Sequence, residues 1–290
     1  MGLQEIYDKL SFTDDSLIRL SDNDWKKKVV LPSRVCRLLE ENEFLRTLDA
    51  FFCFDNKPLI LFFKDPLDNK ALHQAIWNFN ESPIVIIVEN NVVEIFNGFA
   101  IDENKQLLKR LGGNETLNDF TYFELVTGKT WEKYNDDISY KNRVDYRLLE
   151  NIEAVQKLLK EKGLTQTTAN ALLGKIIFFR YLIDRHVRLN YQKKELWIND
   201  DLCNCLSNRN EFIAFIRHIE NKDTGFNGDM FHISESEFDT IGQDALNVLI
   251  RLLRSDEISP GQQSLFNIYD FSILPIEFIS NIYEKFIGKE

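Results

Sequence analysis

Residues 43–98 read EFLRTLDAFFCFDNKPLILFFKDPLDNKALHQAIWNFNESPIVIIVENNVVEIFNG, and the order of patterns in this stretch decides the fold. Two apolar runs, Leu48 to Phe54 and Leu59 to Phe63, flank Asp55-Asn56-Lys57-Pro58. Turn-forming residues between β-prone runs predict a hairpin. From Leu67 to Phe79 the apolar residues Leu72, Ala75, Ile76 and Phe79 recur at helical spacing. Ile84 to Val88 is an unbroken β-branched run, the pattern of a strand buried on both faces, and Asn90-Asn91 turns it into Val92 to Phe96. The predicted order is strand, strand, helix, strand, strand, with a helix in front from Pro32 to Glu41.

That layout resembles the restriction-endonuclease-like core, in which one strand carries an Asp and the next a Glu-x-Lys. The resemblance places Asp49 as the catalytic and metal-holding acid and Lys64 as the lysine, and it puts Phe62 where the second acid belongs. Divalent ions need more than one carboxylate to offset their charge. A Mg²⁺-dependent nuclease built here therefore requires a displaced acid, for which Glu40, Glu41 and Asp65 are the candidates. The competing reading makes Asp49 and Asp55 solvated acids flanking a turn and Lys64 a surface lysine at a strand end.

The formal net charge of -11 excludes a protein that coats nucleic acid through its whole surface. Any DNA contact must use a local patch, and the candidates are Lys26, Lys27, Lys28, Lys193 and Lys194. The four cysteines, Cys36, Cys53, Cys203 and Cys205, are too few and too scattered for a disulfide framework, which fits a reducing cytoplasm. Cys203-x-Cys205 lacks a second ligand pair, and the histidines lie far apart in sequence, so a structural zinc site is not expected. The N-terminal residues show no apolar signal segment, and no run approaches the roughly 18 apolar residues of a membrane span. The expectation is a cytoplasmic protein with no membrane partner.

Residues 1–28 read as a lead-in arm with one weak helix, Leu3 to Leu10. Beyond the core, Asn104 to Arg110 looks helical and Gly112-Gly113 looks like its C-terminal stop, while Leu117 to Phe123 and Trp131 are expected to pack on the first domain. The polar span Glu132 to Arg143 marks the boundary, giving residues 1–140 as a nuclease-like domain and 141–290 as a helical connector. In the second part, helices are expected from Asp145 to Leu159, from Thr167 or Thr168 onward, from Glu211 to Glu220 and from Gln243 to Arg254, with a tight turn at Phe226 to Phe231. A last helix is expected after an Asp270 or Ser272 cap, with Pro275 in its first turn and Ile276, Ile279, Ile282, Tyr283 and Phe286 as its apolar stripe. The fold class expected is α+β, a mixed-sheet domain followed by an all-α domain.

Three stretches of the helical part carry a second resemblance: ANALLGKIIFFRYLIDR at 169–185, FNGDMF at 226–231, and DFSILPIEFISNIYEKF at 270–286. In this order they resemble the helical connector of bacterial type IIG restriction-modification enzymes and related adenine-N6 DNA methyltransferases. The resemblance implies double-stranded DNA as the parent protein's partner, and S-adenosylmethionine as a cofactor held by a downstream methyltransferase domain that packs on the 276–286 helix. A Pro-Pro pair, as in the Asn-Pro-Pro-Tyr-type motif such a domain needs to hold a flipped adenine, occurs nowhere in these 290 residues. Three functions remain in view at this level. One is a nuclease-like scaffold and DNA-positioning connector, favoured by Phe62; the others are an active Mg²⁺-dependent endonuclease and a non-catalytic helical adaptor.

Overall fold

The computed structural model describes residues 2–13, 15–221, 223, 225, 231–259 and 262–287. It is α+β, and it divides into two compact units, Met1–Tyr146 and Arg147–Glu290. The break lies a few residues beyond the polar span that marks it in the sequence.

The first unit is a six-stranded mixed sheet in chain order: β1 (Leu17–Arg19), β2 (Ala50–Phe54), β3 (Lys57–Lys64), β4 (Ile84–Glu89), β5 (Val92–Asp102) and β6 (Leu107–Gly113). Four of its helices are α1 (Leu3–Lys9), α2 (Trp25–Lys28), α3 (Ser33–Glu41) and α4 (Asn69–Phe79). Asp55 and Asn56 both take positive φ, 51° and 57°, so a two-residue turn closes the β2–β3 hairpin. Asn90 and Asn91, at 49° and 64°, close β4–β5 in the same way. Between the hairpins, α4 carries the chain across so that β4 runs parallel to β3, with Ile60 opposite Ile84 and Lys64 opposite Val88. The Asp68 side chain caps α4 by accepting from the Ala71 N–H at 2.9 Å, and Asn80 ends it in the left-handed region at φ 59°.

Two sequence expectations fail in this unit. Residues 1–28 are no loose arm, because β1 pairs with β2 through Leu17–Phe52 and Ile18–Phe51, and Ile6, Tyr7 and Leu10 are buried. The helix looked weak because its worth lies in the sheet it covers, not in its own propensity. Asn104 to Arg110 is not helical. The Asp102 carboxylate accepts from the Asn104 and Lys105 N–H groups, Gln106 takes φ 56°, and the reversed chain pairs with β5 as β6. Gly112 and Gly113 end that strand, opposite Ile95 and Glu94, and cap no helix.

After β6, α5 (Tyr122–Val126) and α6 (Lys129–Lys133) follow. Leu117, Phe120, Leu125 and Tyr134 join one hydrophobic cluster with Phe52, Phe62, Ile86 and Ile95 of the sheet. The expected packing of this segment on the first unit is therefore present.

The second unit is mainly helical: α7 (Val144–Glu161), which begins just before the break, then α8 (Gln166–Asp184), α9 (Asn199–Leu206), α10 (Arg209–Glu220), α11 (Glu235–Thr240), α12 (Gln243–Arg254) and α13 (Glu277–Ile287). A two-stranded ribbon, Glu257–Ser259 with Gln262–Gln263, lies before α13. Gly163, at φ 91°, stands beyond the end of α7, where a glycine takes the left-handed region without strain. The cap of α8 is Thr165, whose hydroxyl accepts from the Thr168 N–H at 3.1 Å, so the helix starts earlier than Thr167. Buried residues surround most of α8, and its polar groups are paired: Lys175 with Glu220, and Arg180 with Asp184 at 2.8 Å. Burial without an ionic or hydrogen-bonding partner would be costly for either cation.

The last helix begins at Glu277, two residues after Pro275, and packs on α8 with Phe278 and Ile282 buried. Ile276 precedes it and is exposed. Asp270 braces Ser272 and does not cap α13. The turn expected at Phe226 to Phe231 lies outside the described residues except for Phe231.

Candidate functional site

Asp49 stands one residue before β2, exposed, and its N–H donates to the Phe62 carbonyl at 3.0 Å. Its carboxylate accepts from the Tyr7 hydroxyl at 2.7 Å. Burial, and then this hydrogen bond to a carboxylate, push the Tyr7 hydroxyl far above the ordinary tyrosine range, so it stays a donor. Lys64 is the exposed last residue of β3.

Side chains alternate across a strand, so Phe62 shares the sheet face of Ile60, and Phe63 points to the other. Phe62 is fully buried. The Tyr7 ring meets it edge-on at 4.9 Å between centroids, and Phe12 does so at 6.1 Å. Phe12 in turn stacks on Phe52 at 4.2 Å. The position that the resemblance reserves for a second carboxylate thus lies inside an aromatic cluster sealed by the N-terminal segment.

The displaced-acid candidates are Glu40, Glu41 and Asp65. Glu40 is exposed and pairs with Lys26 at 2.6 Å. Glu41 is the exposed last residue of α3, and Asp65 accepts from the Asn90 N–H at 3.1 Å. Among the described residues no group of three or more His, Cys, Asp or Glu side chains is arranged to hold a metal ion. Asp49 alone does not make a Mg²⁺ site, since the ion needs several oxygen ligands and charge compensation.

The basic residues are mostly engaged. Besides the Lys26–Glu40 pair, Lys27 meets Asp24 at 2.9 Å and Lys28 meets Asp22 at 2.7 Å. The Lys26 ammonium is held above its ordinary pKa chiefly by the Glu40 hydrogen bond, and the Asp22 carboxyl is held below its own by Lys28. Lys194 pairs with Asp201 at 2.7 Å, while Lys193 sits beside it in the left-handed region at φ 65°, exposed. Exposed pairs of this kind hold little energy and can be exchanged for phosphate contacts.

Two features of the structure are not apparent from the sequence alone. Tyr7 was counted as part of an arm, although Leu3, Ile6, Tyr7 and Leu10 follow helical spacing and mark a face that must be covered. In the sequence His73 is one of four histidines that lie far apart. It lies on the inner side of α4, three residues before Ile76 and four before Trp77, and is 3 % exposed. Its Nδ1 accepts from the Leu108 N–H at 3.1 Å, and the ring meets Phe96 edge-on at 4.6 Å. Burial pushes its pKa down to about 4, so the ring is neutral at physiological pH with its proton on Nε2.

Among the described residues no helix is long and apolar enough to cross a membrane. Comparison with protein-family models, with curated proteins and with solved structures finds no match to this chain.

Proposed function

We propose that this chain is the nuclease-like scaffold and helical connector of a bacterial adenine-N6 restriction-modification protein, positioning a methyltransferase on double-stranded DNA without cutting it. The observation that carries the non-cutting part is Phe62, buried under Tyr7 and Phe12 where a metal-holding carboxylate would be required. Asp49 is hydrogen-bonded to a tyrosine and Glu40 is paired with a lysine, which adds support. The connector part is supported by the three sequence stretches at 169–185, 226–231 and 270–286 and their succession along the chain. Fold likeness alone carries no activity, and this reading leans on both the likeness and the missing acid.

Calorimetry with Mg²⁺ and Mn²⁺ and a plasmid-nicking assay test the scaffold. No metal heat and no nicking are expected. Nicking that needs the metal and disappears in Lys64→Ala would replace the scaffold by an active endonuclease. The connector is tested by the intact mass and sequence of the natural gene product, which should include a glycine-rich strand-loop and an Asn-Pro-Pro-Tyr-type motif. A product without them would reject the methyltransferase association.

A further inference from the structure

On the sheet face away from Phe62, the α4 side, a cavity of about 470 Å³ opens among α4, β4, β5 and β6. That volume lies within the range of small-molecule pockets, about 300–1,000 Å³. Its lining includes Asn69, the first residue of α4, and Glu89, the last of β4. The Asn69 Nδ2 donates to the Glu89 carboxylate at 3.0 Å. An ionised carboxylate only accepts, so the amide cannot be turned round, and its oxygen is the atom left over. That oxygen, Asn69 Oδ1, is buried and has no hydrogen-bond partner. A buried acceptor left without a donor is costly, so an occupant that brings one is favoured.

The charges on the lining divide in the same sense. Glu94 pairs with Arg110 at 3.2 Å. Asp102 accepts from the Asn104 and Lys105 N–H groups, and its carboxyl is held below the ordinary range by these bonds, that of Lys105 foremost, and by the nearby Lys105 and Lys109 charges. Both lysines on the lining thus act on Asp102, and Arg110 on Glu94. Glu89 is different: it makes no ion pair among the described residues, and the Asn69 amide is its partner there. The positive end of the α4 dipole, which would oppose a cation, is met by the Asp68 carboxylate, the acceptor of the Ala71 N–H. Burial keeps His73, also on the lining, neutral. Where α4 meets β4, an unpaired carboxylate therefore stands beside an orphaned amide oxygen. An ammonium group offers a positive charge and three N–H donors to such a pair. The remaining wall includes Ile87, Phe96 and Leu107, which suit an apolar body.

We infer that this cavity binds a small primary amine with an apolar body, its ammonium group donating to Asn69 Oδ1 and to the Glu89 carboxylate. Neither residue takes part in the nuclease-like reading, so either idea can fail without the other.

The test uses the full chain with 2-phenylethylamine, its neutral isostere 2-phenylethanol and ammonium ion as probes. Calorimetry should show the alcohol and the bare ion each binding at least about tenfold more weakly than the amine. Glu89→Gln, which removes the charge and keeps an acceptor for the Asn69 amide, should weaken the amine at least about tenfold, whereas Glu94→Gln, whose charge already faces Arg110, should change it less than about threefold. In ¹H–¹⁵N spectra the Asn69 side-chain amide signals should move as the amine is added. Absence of amine binding, an alcohol that binds equally well, an unaltered Glu89→Gln or an unmoved Asn69 signal would overturn the assignment. Equal affinity for ammonium ion would overturn the apolar body, and a Glu94→Gln as damaging as Glu89→Gln would overturn Glu89 as the partner of the ammonium group.

Discussion

The two faces of one sheet have been put to opposite uses. On one, Ile60, Phe62, Ile84, Ile86 and Val88 meet α1 and the segment around Phe120, and every side chain in that list is apolar. On the other, α4 brings a neutral histidine against β5 and β6, beside a cavity rimmed with charge. The same strands build both faces, so the difference lies in what covers them. Aromatic rings close over Phe62 on one side, whereas the far side opens into a cavity lined by His73 and by charged residues.

The largest effect expected from breaking this contrast is at Phe62. Truncation to alanine removes a ring packed against Tyr7 and Phe12 in a fully buried position, and Phe→Ala changes of this kind cost about 3–5 kcal/mol. Denaturant unfolding of Phe62→Ala should show a loss of that size. A loss under about 1 kcal/mol would mean that the closed face is not closely packed, and the contrast would fall.

His73 sharpens the other side. Its pKa is held down to about 4 in the folded chain, against about 6.5 when unfolded. Between those values the unfolded chain binds a proton that the folded one refuses, so stability is full above about pH 6.5 and falls as pH drops toward 4. At about 1.4 kcal/mol per pK unit the loss is on the order of 3 kcal/mol. Carboxylates titrate in the same region, so the measurement is the difference in pH dependence between wild type and His73→Gln. Identical profiles for the two would show that His73 is not held neutral.

A smaller effect is expected at Gly98, which sits in β5 where the chain passes close to Ser82, two residues before β4. A Cβ there would stand 2.1 Å from the Ser82 carbonyl oxygen, and that oxygen belongs to the main chain. Gly98→Ala should cost about 1–3 kcal/mol, the range for forced overpacking, read as a lowered unfolding midpoint. An unchanged midpoint would show that the Ser82 turn yields freely, and that the register of β4 with β5 is not fixed there.

How far this contrast was legible in the sequence depended on whether a signal was local. Asp55-Asn56 and Asn90-Asn91 announce two-residue turns by their own backbone preferences, and the β-branched run Ile84 to Val88 announces a strand buried on both faces; all three stand in the structure. β6 was missed because Leu107, Leu108 and Leu111 fit a helical spacing, while the deciding event was the Asp102 turn ahead of them. The cover over Phe62 was missed for a longer-range reason. Tyr7 reaches Asp49 across 42 residues of chain, and only the folded sheet brings them together. His73 offered a local clue, a polar residue on a buried helical face. Its partner Leu108 lies in a segment whose leucines fit a helical spacing, so the sequence alone does not bring the two together.

The smallest change in stability should be the one that best separates scaffold from enzyme. Tyr7→Phe keeps the ring against Phe62 and deletes only the hydroxyl that donates to Asp49, a hydrogen bond worth about 1 kcal/mol net. The variant should unfold at slightly lower denaturant, leaving the Asp49 carboxylate open to solvent. If the hydroxyl were all that kept metal away, Tyr7→Phe would gain a calorimetric signal with Mg²⁺. We expect none, because Phe62 remains where a second ligand would have to be and a single exposed carboxylate binds the ion too weakly to detect. A metal signal in Tyr7→Phe that vanishes in Tyr7→Phe/Asp49→Asn would show that the closed face conceals a site, and that the aromatic cover is a plug over it.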